Sequence, residues 1–599
     1  MAIPETVKPT HSDLVAVGDQ IDGQLCMEFT QSAYPVQIDN RGDMPKQTFQ
    51  ELMAEITAMS QKYADILAAN IEKDGHKIFH VKTENDDDSV ETDYGAPAIG
   101  LDFFRSVIKP RRSFRYAKVR TIEGNMRTHH EQAQAVGEFF HDNGYHIFSD
   151  LKPDQYASQV HFMNGGVTRA FSDTIRYLIK EHQKIAPMRE LIGPKETGAI
   201  IVPVPTYGLF LYILDELTEG TDIQVIGVHR HDDGSVDQHS LELTLQKCRL
   251  QNIRPLAYYD CNPHNPTGHI RTEAETRAVA KIIMDDARDR IAGEIIAMEA
   301  VMKEDEKKLP TALVMHSEKP QVGTILIDDM AYEDLEHVDK KPFSFAQVSK
   351  ETANHTVTLK GVSKIGLPGA RIGLMVAHPD LIEAMVDGQL VHEFTASSIG
   401  VDIITARYSH NKQRKMFLRH YDRLRKAHRT KMGVIEAFIN GIDRTDKLNM
   451  LQKQKLIHDY ASRFKLSYKT ARTRLKTGLP NFRIPKETEA GFFMNLHAQS
   501  LYGHVLAAKT DNHMMPEARY ITTSPMLHKA FKAFGIETVS AWGQGASPYS
   551  LQGRITISVR KDELLDFYDR LRTMHNYFFV PNPQVQLDLF NNNPAALKF

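Results

Sequence analysis

The amino-acid sequence predicts an α/β protein with a large domain whose mostly parallel sheet is sandwiched by helices, a smaller α+β domain, and helical insertions. Three observations lead there. From about residue 155, short apolar runs rich in β-branched and aromatic residues alternate with helix-length segments, as in a parallel sheet built from strand–helix–strand units. The last quarter carries separate strand-like runs at 491–496 and 553–559, the second alternating cleanly with period two. The chain has 599 residues, beyond the roughly 250–300 at which one hydrophobic core stops growing. The expected organisation is an N-terminal arm or lobe over 1–92, a large ligand-binding domain over 93–410, a small C-terminal domain over 411–575 and a tail over 576–599.

Residues 1–92 are polar apart from one helical stretch, 47–72, where Phe49, Leu52, Ile56, Met59, Tyr63 and Leu67 recur at helical spacing. The acidic run Glu84-Asn85-Asp86-Asp87-Asp88 reads as a solvated loop. The first strand-like run, 160–163, is followed by a helical segment through 185, and the second, 199–204, by one over 209–217. Runs at 223–228, 256–261, 324–327 and 357–359 continue the series. Charged helices are expected over 277–308 and 412–439. In the second, Arg419, Arg423, Lys426 and Arg429 interleave with Phe417, Leu418, Tyr421 and Leu424, the apolar stripe of a long helix joining two domains. The region 456–476 has a helix-turn-helix cadence, which short helical patterns produce readily by chance.

Hydrophobic residues make up 41% and charged residues 25%, which excludes a disordered, collagenous or membrane-spanning chain. Lys plus Arg number 73 against 76 Asp plus Glu, so the net charge of −3 announces neither a nucleic-acid nor a membrane partner. Three cysteines, Cys26, Cys248 and Cys261, form neither a disulfide framework nor a zinc ligand set. With no basic and apolar leader and no stretch of roughly 18 apolar residues, the expected location is the cytoplasm.

Open parallel sheets bind ligands beyond the carboxyl ends of their strands, so the loops there were read for chemistry. After the 256–261 strand comes Asn262-Pro263-His264-Asn265-Pro266-Thr267-Gly268, a rigid turn able to aim an asparagine amide. After 324–327 comes Asp328-Asp329-Met330-Ala331-Tyr332, a carboxylate and a phenol three residues apart. After 357–359 come Gly361-Val362-Ser363-Lys364-Ile365-Gly366-Leu367-Pro368-Gly369-Ala370-Arg371, where a lysine whose pKa is lowered is able to form a Schiff base and Ser363 with Arg371 is able to grip a phosphate.

In this order the motifs resemble the fold-type I pyridoxal-phosphate enzymes, and specifically the class I/II aminotransferases, from about Tyr94 to Arg560. The resemblance implies pyridoxal 5'-phosphate as cofactor and Lys364 as the Schiff-base and proton-shuttling lysine. Asp329 matches the carboxylate that keeps the pyridine nitrogen protonated, making the ring an electron sink, whereas Asp328 falls one place off. Asn265 and Tyr332 match the partners of the cofactor's phenolic oxygen, and Tyr207, in Pro205-Thr206-Tyr207, the aromatic stacked on the ring. Gly166-Val167-Thr168-Arg169-Ala170 resembles the phosphate loop, with the N–H groups of Val167 and Thr168 at a helix start. Arg554 matches the arginine that binds the substrate α-carboxylate, beside Asn265. Tyr94 resembles the tyrosine that reaches the phosphate of the neighbouring subunit's cofactor, implying a homodimer with shared sites.

The implied reaction is transamination between an amino acid and a keto acid. The alternative is a lyase, decarboxylase or β/γ-replacement enzyme of the same fold, because the shared motifs do not separate these. The short interval from Lys364 to Arg371 resembles the valine-pyruvate aminotransferase branch more than the aspartate branch. Extra sequence between Arg105 and Gln159, over 277–319 and over 439–484 exceeds what the family core needs.

Overall fold

The computed structural model describes residues 122–304, 313, 323–365, 370–383, 396–410, 414–484, 488–506, 521–577 and 579–580. The expectations for the N-terminal lobe, Tyr94 and the tail past 580 lie outside the described residues.

Helix α1 (Ile122–Asp142) leads into β1 (Val160–Asn164), and α2 (Val167–Arg189) follows two residues later. The chain then runs through β2 (Thr197–Val204), α3 (Gly208–Thr218), β3 (Ile223–His229), α4 (Gln238–Leu250), β4 (Ile253–Cys261), α5 (Glu273–Glu304), β5 (Ile325–Asp329), α6 (Lys350–Asn354), β6 (Thr356–Gly361) and β7 (Ile372–Val376). These strands form one sheet in the order β1-β7-β6-β5-β4-β2-β3. Neighbours are parallel from β6 to β3, and β7 runs antiparallel to both β1 and β6. Each strand-like run of the sequence corresponds to an observed strand, and in this sheet β7 alone was not expected from the sequence. Its segment Ile372-Gly373-Leu374-Met375-Val376 follows a glycine-rich loop and carries a glycine of its own, which masks its strand pattern. That glycine is required, because a Cβ on Gly373 would meet the Gly166 carbonyl carbon at 2.8 Å.

Helices cover both faces of the sheet, so its central strands are apolar nearly throughout and β4 is buried at every position. Alternation along the strands still sorts side chains by face. Ala257, Tyr259, Cys261, Ile325 and Ile327 join the larger core on one face, while Tyr258 and Leu326 join a second core on the other.

The chain continues through α7 (Ser398–Arg407), the long α8 (Arg414–Asn440), α9 (Met450–Arg463), α10 (Tyr468–Thr477), β8 (Phe493–His497), β9 (Val505–Leu506), α11 (Ser524–Ala533), β10 (Val539–Ser540), β11 (Gln552–Thr556), α12 (Lys561–Tyr577) and β12 (Phe579–Val580). Strands β10-β11-β8 form an antiparallel sheet, and β9 pairs with β12. This smaller sheet is docked against the loop after β4. The N–H groups of Glu489 and Ala490 donate to Gly268 O at 3.2 and 2.9 Å. At Gly268, φ is +72°, and a Cβ there would meet Thr488 Cγ2 at 2.2 Å, so glycine allows the approach. The fold is the mixed α/β arrangement the sequence predicts, with a large, mostly parallel sheet and a smaller α+β region.

Candidate active site

Strands β2, β4, β5 and β6 run parallel, so the segments following Val204, Cys261, Asp329 and Gly361 emerge at one edge of the sheet. The start of α2 reaches the same edge, because Gly165 N donates to Arg371 O at 2.8 Å. The motifs read separately along the chain therefore converge.

Lys364 stands in a short helical turn after β6, its Nζ 5.4 Å from the centroid of the Tyr332 ring and 5.9 Å from that of Tyr207. Burial lowers the pKa of its amine, Arg554 lowers it further, and Tyr207 and Asp329 oppose the shift. Asn265 Nδ2 donates to the Tyr332 hydroxyl at 3.0 Å, and its Oδ1 accepts from Arg554 Nη1 at 3.2 Å. Arg554 comes from β11 of the smaller sheet, and its guanidinium lies over the Phe493 ring at 4.2 Å. One asparagine thus joins the phenol of the large domain to the guanidinium of the small one.

Asp329 ends β5 fully enclosed. Its Oδ2 accepts from the Tyr259 hydroxyl at 3.1 Å and its Oδ1 from the Ala331 N–H at 3.0 Å. Burial outweighs these donors and Lys364, lifting the carboxyl pKa to about 6. Asp328 points to the opposite face, where it accepts from Arg271 Nη2 at 2.7 Å, Ser344 Oγ at 2.6 Å and Phe345 N at 3.1 Å. Arg271 also binds Asp260, which pairs with Arg230. The two adjacent aspartates are separated by the pleat of one strand, and Asp328 belongs to a buried ionic network behind the sheet.

Helix α2 begins after Gly165 and Gly166, with φ of +82° and +76°, in the left-handed region that glycine enters without strain. A Cβ on Gly166 would sit 3.9 Å from Arg371 Nη2 and 4.0 Å from Ser363 Oγ. Hydroxyl, guanidinium and the first N–H groups of a 23-residue helix therefore surround one small space, with Val167 and Thr168 in the first turn. Arg371 is fixed there by its Nη2 donating to Gly165 O at 2.8 Å. Arg169, in the first turn of α2, pairs with Asp173 at 2.7 Å.

Residues 188–287 and 315–455 match the family model for aminotransferase class I and II. This segment is similar to that family. It holds the Asn265, Asp329, Tyr332 and Lys364 motifs, while Arg554 and the start of α2 lie outside the matched residues. The aspartate aminotransferase of Bacillus sp. (strain YM-2) is 27% identical over 127 residues, which is 21% of this chain. The match spans 23% of that relative's length. Among solved structures, an aspartate aminotransferase double mutant of Thermus thermophilus aligns with TM-score 0.46 at 12% identity, over 74% of this chain and 81% of the other. The aromatic aminotransferase of Pyrococcus horikoshii OT3 aligns with TM-score 0.44 at 14% identity, over 73% and 84%.

Pyridoxal phosphate is the cofactor that the aminotransferase family implies, and the residues present fit it. The cradle at Gly166 brings the Arg371 guanidinium, the Ser363 hydroxyl and the helix N–H groups together, the donors a phosphate needs, with the Ile372 carbonyl oxygen at its edge, and a side chain at that position would intrude on it. A carboxylate, a half-buried lysine and a phenol–amide pair stand at the same edge, the donor set for a pyridine nitrogen, an aldehyde and a phenolic oxygen. Tyr207, preceding α3, is half-buried beside Lys364. Sequence reasoning missed Tyr259. In a run of apolar strand residues a tyrosine reads as core, and only the pairing of β4 with β5 brings its hydroxyl to Asp329. Among the described residues no cluster of metal-ligating side chains occurs, and no helix is long and apolar enough to cross a membrane.

Proposed function

We propose that the chain is a pyridoxal-phosphate-dependent aminotransferase that moves an amino group between an α-amino acid and a 2-keto acid. The observation that carries this reading is Lys364 itself, a half-buried amine of lowered pKa close to the rings of Tyr207 and Tyr332, at the edge of the sheet where Arg554 meets Asn265. When bound, pyridoxal phosphate supplies a carbonyl that takes up the amine and a ring that accepts the electrons left on the substrate's α-carbon.

The chain's own residues do the rest. Lys364 Nζ, held unprotonated more readily than a solvated lysine, is the nucleophile toward the carbonyl and afterwards moves the α-proton. Asp329 holds a proton on the ring nitrogen; its own ionisation is costly in this burial and is recovered by that cation. Asn265 and Tyr332 would donate to the phenolic oxygen, Tyr207 would pack on the ring, and Val167, Thr168, Ser363 and Arg371 would hold the phosphate. Arg554 binds the substrate α-carboxylate, and its link to Asn265 sets that carboxylate beside the ring. The family resemblance further supports a cytoplasmic homodimer in which Tyr94 reaches the neighbouring subunit's cofactor, and dilution to monomer should then cost activity.

A single-turnover screen tests the reaction type. Incubation with candidate amino acids should convert the bound cofactor to its amine form and release the matching keto acid. Release of CO2 or a side-chain fragment, with the original visible band restored, would make the protein a decarboxylase or lyase instead.

A further inference from the structure

Helix α9 begins just before residue 455, where the match to the family model ends, α10 lies wholly beyond it, and none of the site residues comes from either helix. Their inner face is anchored. Leu456, Ile457, Tyr460 and Ala461 of α9 and Ala471 and Leu475 of α10 are buried. The Tyr460 hydroxyl donates to Asp569 Oδ1 at 3.0 Å, Arg463 pairs with Asp566 at 2.5 Å, and the Tyr568 hydroxyl donates to Arg474 O at 3.0 Å. All three bonds hold the pair on α12, so the pair is presented rigidly.

The connection between them is four residues, Phe464-Lys465-Leu466-Ser467. Lys465 takes a left-handed backbone, φ +51°, which turns the chain sharply. Ser467 then caps α10, its hydroxyl accepting from Thr470 N at 3.1 Å. Two helices joined by so short a turn, with Ala461 and Ala471 buried, have the connection length that a helix-turn-helix uses.

The outer face has a different character. Ser467, Tyr468, Lys469, Arg472 and Lys476 of the second helix are exposed, as is Lys465 on the turn, and the His458 ring packs on Tyr468 at 4.8 Å. Residues 450–477 contain eight lysines and arginines and a single acidic residue, Asp459, in a chain whose net charge is −3. The whole-chain balance that argued against a nucleic-acid partner hides this local excess.

We propose that α9 and α10 form a duplex-DNA docking module, with α10 entering the major groove and Lys465, Lys469 and Arg472 meeting phosphates and base edges. In such motifs the second helix lies in the groove and its N-terminal residues contact the bases, which is where Lys469 and Arg472 stand. The deep, narrow major groove of A-form RNA does not admit a helix. A membrane surface would require an apolar face along the helix that meets it; on α10 the exposed positions include Lys469, Arg472 and Lys476, and the exposed Met450 and Leu451 stand at the start of α9, away from the turn.

The test is fluorescence anisotropy of the full-length holoenzyme with a labelled random duplex about 25 base pairs long, at about 50 and about 200 mM salt, a range over which phosphate contacts weaken steeply. The wild type should bind at low salt with a micromolar Kd and weaken at least about tenfold at high salt. Lys469→Glu with Arg472→Glu should raise Kd by about tenfold or more and flatten the salt dependence, while keeping the cofactor's visible band and basal activity. Lys469→Arg with Arg472→Lys should retain binding. Absence of duplex binding at low salt, equal binding by the Glu variant, or preference for single-stranded RNA or anionic vesicles over duplex would each overturn the proposal.

Discussion

Tyr259 of β4, paired with Ile327, reaches diagonally along β5 to Asp329, its phenol donating to the carboxylate at 3.1 Å. Tyr259 is wedged between Phe171 and Phe210, ring centroids 5.0 and 5.2 Å away, and burial raises its own pKa well above 10.0, so it remains a donor. Arg271, the neighbouring buried cation, is committed to Asp328 on the far face. The carboxylate in the pocket is therefore set by a neutral donor and a backbone N–H, with the ligand's ring nitrogen left to provide the main positive charge.

Tyr259→Phe removes that donor with little change of shape. A hydrogen bond to a charged group contributes about 1.5–3 kcal/mol, so cofactor affinity should fall by roughly ten- to a hundredfold. Equilibrium titration of apoprotein with pyridoxal phosphate measures it, and an unchanged Kd would remove Tyr259 from the account.

Asp329 also leaves a mark on the cofactor-free protein. Its pKa rises from 3.8 to about 6 on folding, so the folded state holds the proton that the unfolded state has released. The stability it contributes is complete below about pH 4 and is lost as pH rises through about 6. Unfolding free energy of the wild-type apoprotein minus that of Asp329→Asn should fall on the order of 3 kcal/mol across that window. A flat difference would mean that the carboxyl titrates normally.

Gly166→Ala places a methyl group into the cradle between Arg371 and Ser363 at a residue with φ +76°. The backbone strain costs about 1 kcal/mol, and the methyl takes space meant for a phosphate. Affinity for pyridoxal phosphate should fall much more than affinity for pyridoxal, which lacks the phosphate. Equal losses for the two would place the phosphate elsewhere.

Arg554→Ala should raise KM for amino acids by about a hundredfold, the scale of a lost charge-assisted pair, while the cofactor stays bound. Steady-state kinetics beside the visible spectrum separate the two effects, and unchanged KM would deny the guanidinium its carboxylate.

The loops that carry Asn265, Asp329, Tyr332 and Lys364 were legible because rigid turns and strand-end polar residues stand out against apolar strands. Tyr259 was not, because its role depends on which strand lies beside β4, and pairing is a long-range property that residue spacing does not encode. The helix-turn-helix cadence over 456–476 carried no weight in the sequence, because short helical patterns produce it by chance; the inward anchoring of Tyr460 and Arg463 and the exposure of Lys469 and Arg472 emerge only in the fold. The distinction between Asp328 and Asp329 came from the resemblance, and the strand pleat supplies its physical cause, with one face toward the cofactor cradle and the other toward Arg271.

Borohydride reduction of the holoenzyme followed by peptide mapping tests the central assignment most directly. Reduction should abolish the visible band and leave a pyridoxyl group covalently on the peptide containing Lys364, and Lys364→Ala should acquire none. A pyridoxyl group on another lysine, or a reducible band retained by Lys364→Ala, would contradict the account.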